Sequence, residues 1–454
     1  MALHLGTALL PEGWAQDVRV EISGGRFTRL ERDAQPLEGD ERVAVALPGM
    51  CNVHSHGFQR GMAGLTEFRG PEADNFWSWR TLMYRFVARM TPEDIGAITS
   101  QAYVEMLEGG FTRVGEFHYV HHDPKGVAYA NPAETAIHVA SAVARTGIGL
   151  TLLPVFYANG GFDGAPPAEG QRRFVTSLDA FARLVEACRK IVNSLEGATL
   201  GVAPHSLRAV TPEELARVVP LAGAGPVHIH AAEQTAEVEQ CLAWSGARPV
   251  QWLLDHAPVD RRWCLVHSTH VTDEECVRLA ESGAVAGLCP ITEANLGDGI
   301  FPAAKYLAAG GIFGIGTDSN VSISVADELR QLEYSQRLRD RARNVVGAND
   351  ARSTGRVLFD GAIRGGTQAL GVEAGVGLVE GAAADFVSLN MEAPALACKQ
   401  GDALLDSLIF AGSAGCIDGV WCAGRKVVSD GRHLERGEIA RGYQTTLRRL
   451  LDLS

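Results

Sequence analysis

The sequence predicts a (β/α)8 barrel of the TIM type with a small β-sandwich domain formed by both chain termini. Three features predict this fold. Eight apolar, β-branched runs occupy the middle of the chain, helix-length segments separate most of them, and β-rich stretches flank the whole at both ends. Buried strands that alternate with helices are typical of such a barrel, which closes on itself with its helices outside.

The eight runs extend over roughly 270 residues, close to the ~250 usual for this barrel. They are Val43–Val53, Phe111–Phe117, Ile148–Tyr157, Ala198–Ala203, Pro226–Ile229, Trp263–Val266, Ala284–Leu288 and Ile312–Gly316. Thr91, Thr211 and Thr272 each precede a segment with an acidic residue three positions on, which predicts helix N-caps. The competing open doubly wound sheet should carry a glycine-rich phosphate loop after its first strand, whereas this strand ends in His-Ser-His.

The two ends of the chain share a pattern of short extended segments separated by turns. Asp17–Ile22 and Arg26–Leu30 flank a Gly24-Gly25 turn, and Ala384–Leu389 and Gly419–Val428 repeat the pattern near the C-terminus. We therefore expect residues 1–46 to begin the small β domain and residues 47–370 to form the barrel. Residues 371–454 would return to the small domain and add a C-terminal helix.

Two segments are longer than ordinary barrel loops. Gly57–Met90 follows the first strand and carries Trp77, Trp79 and Arg80, and Gly160–Gly170 follows the third strand. Both lie on the side where barrel active sites form, so each is a candidate cover for a substrate. A plain surface insertion is the alternative for both.

Composition restricts the function classes. Among 454 residues, 41 Lys and Arg stand against 54 Asp and Glu, and a net charge of −13 disfavours a nucleic-acid binder. No apolar stretch approaches the ~20 residues of a membrane-spanning helix, and no signal-peptide pattern begins the chain. Nine cysteines without a C-x-x-C pair indicate reduced thiols, so we expect a cytoplasmic protein.

At least six of the 14 histidines lie at or next to predicted strand ends. His54 and His56 close the first strand, and their spacing of two points both side chains to one side. This pair alone is weak evidence for a metal site. The fourth, fifth, sixth and eighth strands, however, also end in possible ligands, namely His205, His228-x-His230, His267 and Asp318. Three imidazoles and one carboxylate suit a divalent transition metal such as Zn²⁺.

Glu233 lies three residues beyond His230, in HAAE. A carboxylate close to a metal but not needed as a ligand is suited to proton transfer in a hydrolase. The alternative is a helix first-turn acid favoured by the helix dipole. Its position beside the histidine cluster favours the catalytic interpretation.

Five motifs in this order resemble the amidohydrolase superfamily, in the branch that deaminates amidine-like C–N bonds: PGMCNVHSHGFQR, HIHAAE, LVHSTHV, CPITEANLGDG and GIGTDSN. The tail segment GGTQALG…GLVEGAAADFVSL resembles that superfamily's return to its small β domain, so the resemblance covers nearly the whole chain. More narrowly, HSHGFQR, WSWRTLMYR, GEFHYVHH, APHSLRAV and CPITEANLGDG are similar to the members that act on N-formimino-L-glutamate in histidine degradation.

The resemblance implies a role for each residue of the cluster. His54, His56, His230 and Asp318 would bind one Zn²⁺, or another divalent transition metal. Asp318 and His267 would accept or orient the proton of the attacking water, and Glu233 would move protons as the third catalytic residue. His228 would point behind the site, and a second metal is not expected because His205 stands where binuclear members carry a modified lysine.

A glutamate derivative brings two carboxylates, which call for arginine forks and hydroxyl donors. Arg208 is the first candidate, and by resemblance Tyr119 and His205 assist it. Arg80 is a candidate for the second carboxylate or a surface helix cation, and Gln59 could hydrogen-bond the formimino group. Cys51 and Cys289 lie near the site motifs, but core packing is the better interpretation of both.

The leading hypothesis is hydrolysis of N-formimino-L-glutamate to N-formyl-L-glutamate and ammonia, which makes the chain a deiminase that binds a small dicarboxylate. The alternative within the same superfamily is a deaminase of a purine, a pterin or another aromatic amidine. In a non-catalytic scaffold we expect the metal-binding and proton-transfer residues to be replaced by other residue types, and none of them is replaced here. The resemblance also suggests a homodimer, and charge and apolar run lengths predict that it binds neither nucleic acid nor membrane.

Overall fold

The computed structural model describes residues 1–68, 76–347, 351–372, 377–412 and 415–452. The strands in chain order are β1 (Ala2–Leu10), β2 (Gly13–Ser23), β3 (Arg26–Glu31), β4 (Glu41–Pro48), β5 (Met50–Ser55), β6 (Phe111–His118), β7 (Gly149–Phe156), β8 (Thr199–Leu200), β9 (Ala203–Pro204), β10 (Val227–Ala231), β11 (Trp263–His267), β12 (Val285–Leu288), β13 (Ile312–Ile315), β14 (Phe386–Leu389), β15 (Ile417–Cys422), β16 (Arg425–Ser429) and β17 (Arg432–His433).

The α-helices follow the same order. They are α1 (Phe76–Val87), α2 (Pro92–Glu108), α3 (Glu134–Thr146), α4 (Leu178–Asn193), α5 (Pro212–Val218), α6 (Thr235–Ser245), α7 (Pro249–His256), α8 (Asp273–Ser282), α9 (Pro290–Leu296), α10 (Ala303–Ala308), α11 (Val325–Asp340), α12 (Thr354–Ala369), α13 (Asp402–Phe410) and α14 (Arg436–Leu450). Short 3₁₀ segments occupy Gly57–Met62, Glu169–Gln171 and Val219–Ala222. Within the described ranges, no helix combines the length and apolarity needed to cross a bilayer.

The predicted barrel is confirmed. Strands β5 to β8 and β10 to β13 run parallel in the order β10-β11-β12-β13-β5-β6-β7-β8, and β9 extends the pairing along β7. Single parallel bridges, Val202 to Val227 and Ser206 to His230, join the two ends of this order. The curled sheet therefore closes, and the carboxyl ends of its strands meet at one face.

The second sheet is built from both ends of the chain. Its eight strands pair in the order β17-β16-β15-β14-β4-β1-β2-β3, so β14 and β4 join the C-terminal strands to the N-terminal ones. In its core, Phe386 stacks on Trp421 with ring centroids 4.5 Å apart. The domain limits 1–46, 47–370 and 371–454 stay a prediction.

One apolar run was wrongly predicted as a single strand. Val43–Val53 divides at Gly49 into β4, which belongs to the terminal sheet, and β5, which belongs to the barrel. A side chain at Gly49 would place its Cβ 2.3 Å from Thr112, so only glycine lets the chain pass between the sheets here. Similarly, the fourth predicted strand, Ala198–Ala203, consists of the two short pieces β8 and β9.

The predicted helix starts are confirmed. Thr91, Thr211 and Thr272 cap α2, α5 and α8, each in a capping box with the acid three residues on. In such a box the threonine oxygen accepts from the third backbone N–H, and the acid accepts from the N–H of the cap. Donors that the helix itself leaves unpaired are thereby satisfied, which explains why the pattern marks helix starts.

Candidate metal and substrate site

The predicted site residues gather at the carboxyl ends of the barrel strands. His54 lies in β5 with His56 just after it, His230 lies in β10, and His267 ends β11. Asp318 follows β13 and forms a bridge with Ser55. The four histidines and Asp318 are all buried. The closed parallel sheet thus assembles residues that are more than 200 positions apart in the chain.

Four of these side chains point their donor atoms at one another. Nε2 of His54 lies 3.1 Å from Nε2 of His230. Oδ1 of Asp318 lies 3.5 Å from Nε2 of His54 and 3.3 Å from Nε2 of His56. The three histidines form a group whose ligand atoms all lie within 4.8 Å of one another, as a metal site requires.

The protonation of these rings fits a metal ion. Nδ1 of His56 faces the carbonyl oxygen of Phe117, and Nδ1 of His230 faces that of His205, both at 3.0 Å. A ring nitrogen that faces a carbonyl must carry the proton, so each Nε2 keeps its lone pair for the centre of the cluster. Burial lowers the pKa of His54 to about 3, which keeps this ring neutral as well. Neutral imidazoles and one carboxylate fit a divalent transition metal.

His267 lies between two carboxylates instead of inside the donor cluster. Its Nε2 is 3.8 Å from Oδ2 of Asp318 and 3.9 Å from Oε1 of Glu233. Its Nδ1 is 3.3 Å from Oε1 of Glu293. Burial alone would lower the pKa of His267, but the charges of Glu233 and Asp318 and the bond to Glu293 raise it to about 10.

Asp318 is held as a carboxylate. Burial alone would raise its pKa, but the adjacent imidazole groups of His54, His56 and His267 bring that pKa below its usual range. Asp318 and His267 also have φ of 45° and 67°, in the left-handed region that non-glycine residues rarely adopt. Backbone strain of this kind concentrates at functional sites, where the surrounding structure over-determines the conformation.

Glu233 is buried beside a cation. Oε2 of Glu233 lies 3.4 Å from Nη2 of Arg208, and Oε2 of Glu237 lies 3.9 Å from the same nitrogen. Burial raises the pKa of Glu233, although His267 and Arg208 oppose this rise. A carboxyl whose pKa is raised toward neutrality can both accept and return a proton, as a general acid–base group must.

The predicted substrate residues line the same cavity as the donor cluster. Its wall contains Gln59, Arg80, Tyr119, His205 and Arg208 together with His56, His230, Glu233, His267 and Asp318. Nε2 of Gln59 donates to the hydroxyl of Tyr119 at 2.9 Å. All five residues predicted to contact substrate are therefore brought together at the metal cluster, although their roles stay predictions.

Helix α1, which belongs to the first long insertion, supplies one side of the cavity. Phe76, Trp79, Arg80, Met83 and Tyr84 all line it. The Arg80 guanidinium lies 4.4 Å from the centre of the Trp77 ring, and the Arg208 guanidinium lies 6.0 Å from that of Phe76. Residues 69–75 of the insertion lie outside the described residues. Among the described residues, the second insertion, Gly160–Gly170, contributes none to this wall.

Sequence reasoning missed several residues of the site. Glu293, which pairs with His267, lies on α9 after the seventh barrel strand. The sequence pattern there does not show which way the Glu293 side chain points. Tyr157 and Phe174 line the cavity. Tyr157 could have been found, because it ends a predicted strand run just as the histidines do.

The remaining candidates lie behind the site. Nε2 of His228 is 2.7 Å from the carbonyl oxygen of Ala369 at the end of α12. Cys289 packs in a buried cluster with Val53 and Cys264, although its sulfur also lies near His267 and Asp318. Burial raises the pKa of Cys289 well above its usual value, as is typical of a thiol in apolar surroundings. Cys51 is also buried.

Comparison with known proteins agrees with this geometry. The model of the amidohydrolase family matches residues 45–427. The chain belongs to the amidohydrolase family. The model described as "Formimidoylglutamate deiminase HutF, N-terminal domain" matches residues 1–44.

Individual relatives cover most or all of this chain. A formimidoylglutamate deiminase of Pseudomonas aeruginosa is 52% identical over 99% of this chain and 100% of that protein. An 8-oxoguanine deaminase of the same organism is 31% identical over 72% of this chain and 73% of its own. The crystal structure of an amidohydrolase from Brucella melitensis superimposes with a TM-score of 0.96 and 57% identity, covering 99% of each chain.

Proposed function

We propose that this amidohydrolase hydrolyses the formimino group of N-formimino-L-glutamate and releases N-formyl-L-glutamate and ammonia, a step of histidine degradation. It is thus a hydrolase that acts on a linear C–N bond. The identity to the Pseudomonas aeruginosa formimidoylglutamate deiminase over the full length of both proteins supports this activity.

The observation that carries the proposal is the shared cavity. A donor cluster, a buried proton-transfer carboxyl and two arginines line one cavity, and the arginines fit the two carboxylates of the substrate. Arg208 contacts Glu233, so it is proposed to bind the carboxylate nearer the reacting carbon. Arg80, on the outer helix α1, is proposed to bind the other carboxylate.

His54, His56, His230 and Asp318 are the proposed ligands of a single Zn²⁺. When bound, such an ion acidifies the attacking water and polarises the carbon that is attacked. A single ion is proposed because the fourth strand ends in Pro204-His205, without a lysine that could bridge two ions.

The chain's own residues would then move protons. Asp318 and His267 orient the attacking water, and Gln59 hydrogen-bonds the formimino group. Glu233 takes one proton from the water as the C–O bond forms and delivers it to the terminal nitrogen, which becomes an amine. As the carbonyl forms and the C–N bond breaks, the remaining hydroxyl proton passes through Asp318 to the same nitrogen. The nitrogen needs this proton because it would otherwise leave as an amide anion, whereas the protonated group leaves as ammonia.

The test is ammonia release from a substrate panel. Purified, zinc-loaded protein is assayed with N-formimino-L-glutamate, guanine, 8-oxoguanine and adenosine side by side. We expect turnover of N-formimino-L-glutamate with a kcat/KM far above that of any ring substrate. Turnover of the ring substrates alone would contradict the proposal.

Deamination of an aromatic amidine is the second candidate, and one observation favours it. The cavity wall contains Phe76, Trp79, Tyr84, Tyr119, Tyr157 and Phe174, which could stack on a flat ring. The two arginines favour the acyclic dianion because a neutral ring would leave their charges without a partner.

We further propose a cytoplasmic homodimer. All nine cysteines are free thiols, which supports a reducing compartment. The dimer is proposed from the family resemblance alone, and sedimentation velocity of the purified protein would test it.

A further inference from the structure

Tyr157 lies just after β7 and lines the cavity that holds both arginines. Its ring packs edge-on against His205, with centroids 4.6 Å apart. Burial raises the pKa of the Tyr157 phenol, although the charges of Arg208 and Arg80, which line the same cavity, oppose this rise. The phenol is therefore neutral and shares its cavity with two cations.

Gln171 determines which way the Tyr157 hydroxyl donates. Oε1 of Gln171 accepts from the backbone N–H of Ala168 at 2.6 Å, so its NH₂ group points to the other side. That Nε2 donates to the Tyr157 hydroxyl at 2.5 Å, and Gln171 is itself buried. Because the hydroxyl oxygen accepts here, its own proton is free to be donated to another group.

No described residue accepts that proton within hydrogen-bond distance, in contrast to the buried tyrosines Tyr103 and Tyr306. The Tyr103 hydroxyl donates to Oε2 of Glu116 at 3.1 Å. The Tyr306 hydroxyl reaches the carbonyl oxygens of Ala284 and Ile312 at 3.2 and 3.1 Å. A buried hydroxyl normally finds an acceptor, so an oriented donor beside two cations calls for an anionic acceptor that enters the cavity.

We propose that Tyr157 is a specificity-determining residue whose hydroxyl donates a hydrogen bond to the substrate carboxylate that Arg208 binds, with Gln171 positioning the hydroxyl. This inference rests on the proposed function, because it takes the dicarboxylate as the substrate. It adds a neutral donor to the two arginines. Such a donor favours a carboxylate over an uncharged group, because a hydrogen bond to a charged acceptor is stronger than one to a neutral acceptor.

The test compares Tyr157→Phe with the unaltered enzyme on three substrates. With N-formimino-L-glutamate, the variant should lose about 10- to 100-fold in kcat/KM, because a hydrogen bond to a charged group is removed while the ring is kept. Most of the loss should be in KM, since this contact is not at the reacting carbon. N-formiminoglycine and 4-formiminoaminobutyrate each lack one of the two carboxylates. The loss should vanish for 4-formiminoaminobutyrate, which lacks the carboxylate nearer the reacting carbon, and Arg208→Gln should lose its effect on the same compound.

Tyr306→Phe is the matched control, because it removes a buried tyrosine hydroxyl outside the cavity. It should lower the melting temperature without changing kcat/KM on any of the three substrates. Gln171→Met should reproduce part of the Tyr157→Phe effect with metal content unchanged. A change of less than twofold in Tyr157→Phe, or an equal loss on all three compounds, would overturn the inference.

Binding of the product separates this inference from the proposed function. Affinity for N-formyl-L-glutamate, measured by titration calorimetry, requires no turnover and should weaken in Tyr157→Phe by the same 10- to 100-fold. An unaltered enzyme that does not deaminate N-formimino-L-glutamate would contradict the proposed function. Equal affinities of the unaltered enzyme and Tyr157→Phe would contradict the role of Tyr157 alone.

Discussion

Replacing Arg208 by glutamine tests the substrate assignment most directly. The guanidinium is buried, with 7% of the residue exposed, and its Nη2 lies 3.4 Å from Oε2 of Glu233. Glutamine keeps a neutral donor on a similar stem but removes the positive charge and the fork geometry. Because no exposed charge is involved, bulk salt should screen the effect little.

The magnitude follows from the bonds that are lost. A hydrogen bond to a charged group contributes about 1.5–3 kcal/mol, and a fork makes two of them. If the glutamine amide retains one neutral bond, the loss is about 3 kcal/mol, which is about 150-fold in kcat/KM at 1.36 kcal/mol per tenfold. The contacted carboxylate does not react, so KM should rise more than kcat falls.

A second effect concerns pH. Burial raises the pKa of Glu233, and the charge of Arg208 opposes that rise. Loss of the cation should therefore raise this pKa further. Because Glu233 must be ionised to accept the proton of water, the acid limb of kcat should move to higher pH.

The assay is ammonia release at varied N-formimino-L-glutamate and pH, with metal content and melting temperature as checks on folding. Arg217→Gln is the matched control, because Arg217 is an exposed cation at the end of α5 in the same stretch of chain. A kcat/KM of Arg208→Gln within twofold of the unaltered enzyme, with normal metal content, would refute the reasoning and place the carboxylate elsewhere.

Four further predictions follow from the geometry. Glu233→Gln should lower kcat by about 10²- to 10⁴-fold while metal analysis finds the ion retained, and loss of the metal would assign Glu233 to the ligands. Chelation should abolish activity, which Zn²⁺ should restore, and full activity at negligible metal content would contradict the metal role. Glu293→Gln removes a charge that raises the pKa of His267, so the basic limb of kcat/KM should move to lower pH, and an unchanged limb would exclude His267 from that ionisation. Thr91→Ala removes the cap of α2 and should lower the free energy of unfolding by about 1 kcal/mol in urea titration without changing kcat/KM, in contrast to a cavity variant.

Much of this protein could be predicted from local patterns. The caps at Thr91, Thr211 and Thr272 were predictable because a capping box involves only residues three positions apart. The barrel was predictable because alternating strands and helices leave few ways to bury both faces of a parallel sheet. The donor cluster was predictable from the barrel, because the carboxyl ends of all its strands meet at one face, however far apart the strands are in the sequence.

The division of Val43–Val53 at Gly49 was beyond such patterns. Both halves of the run are apolar and extended, and only the proximity of Thr112 requires a glycine at the point where the chain changes sheets. The same holds for Glu293, whose direction toward His267 depends on how α9 packs after the seventh strand.

The sequence by itself therefore determined the fold class, the residue types of the donor cluster and the presence of two arginines beside it, because periodicity and residue chemistry are local properties. The tertiary structure decided which side chains share a cavity. It placed His267 between Asp318 and Glu233, paired Arg208 with Glu233, turned Arg80 inward from α1, and left the Tyr157 hydroxyl with a proton to donate. These facts depend on distances between residues remote in the chain, and only the packed barrel sets those distances.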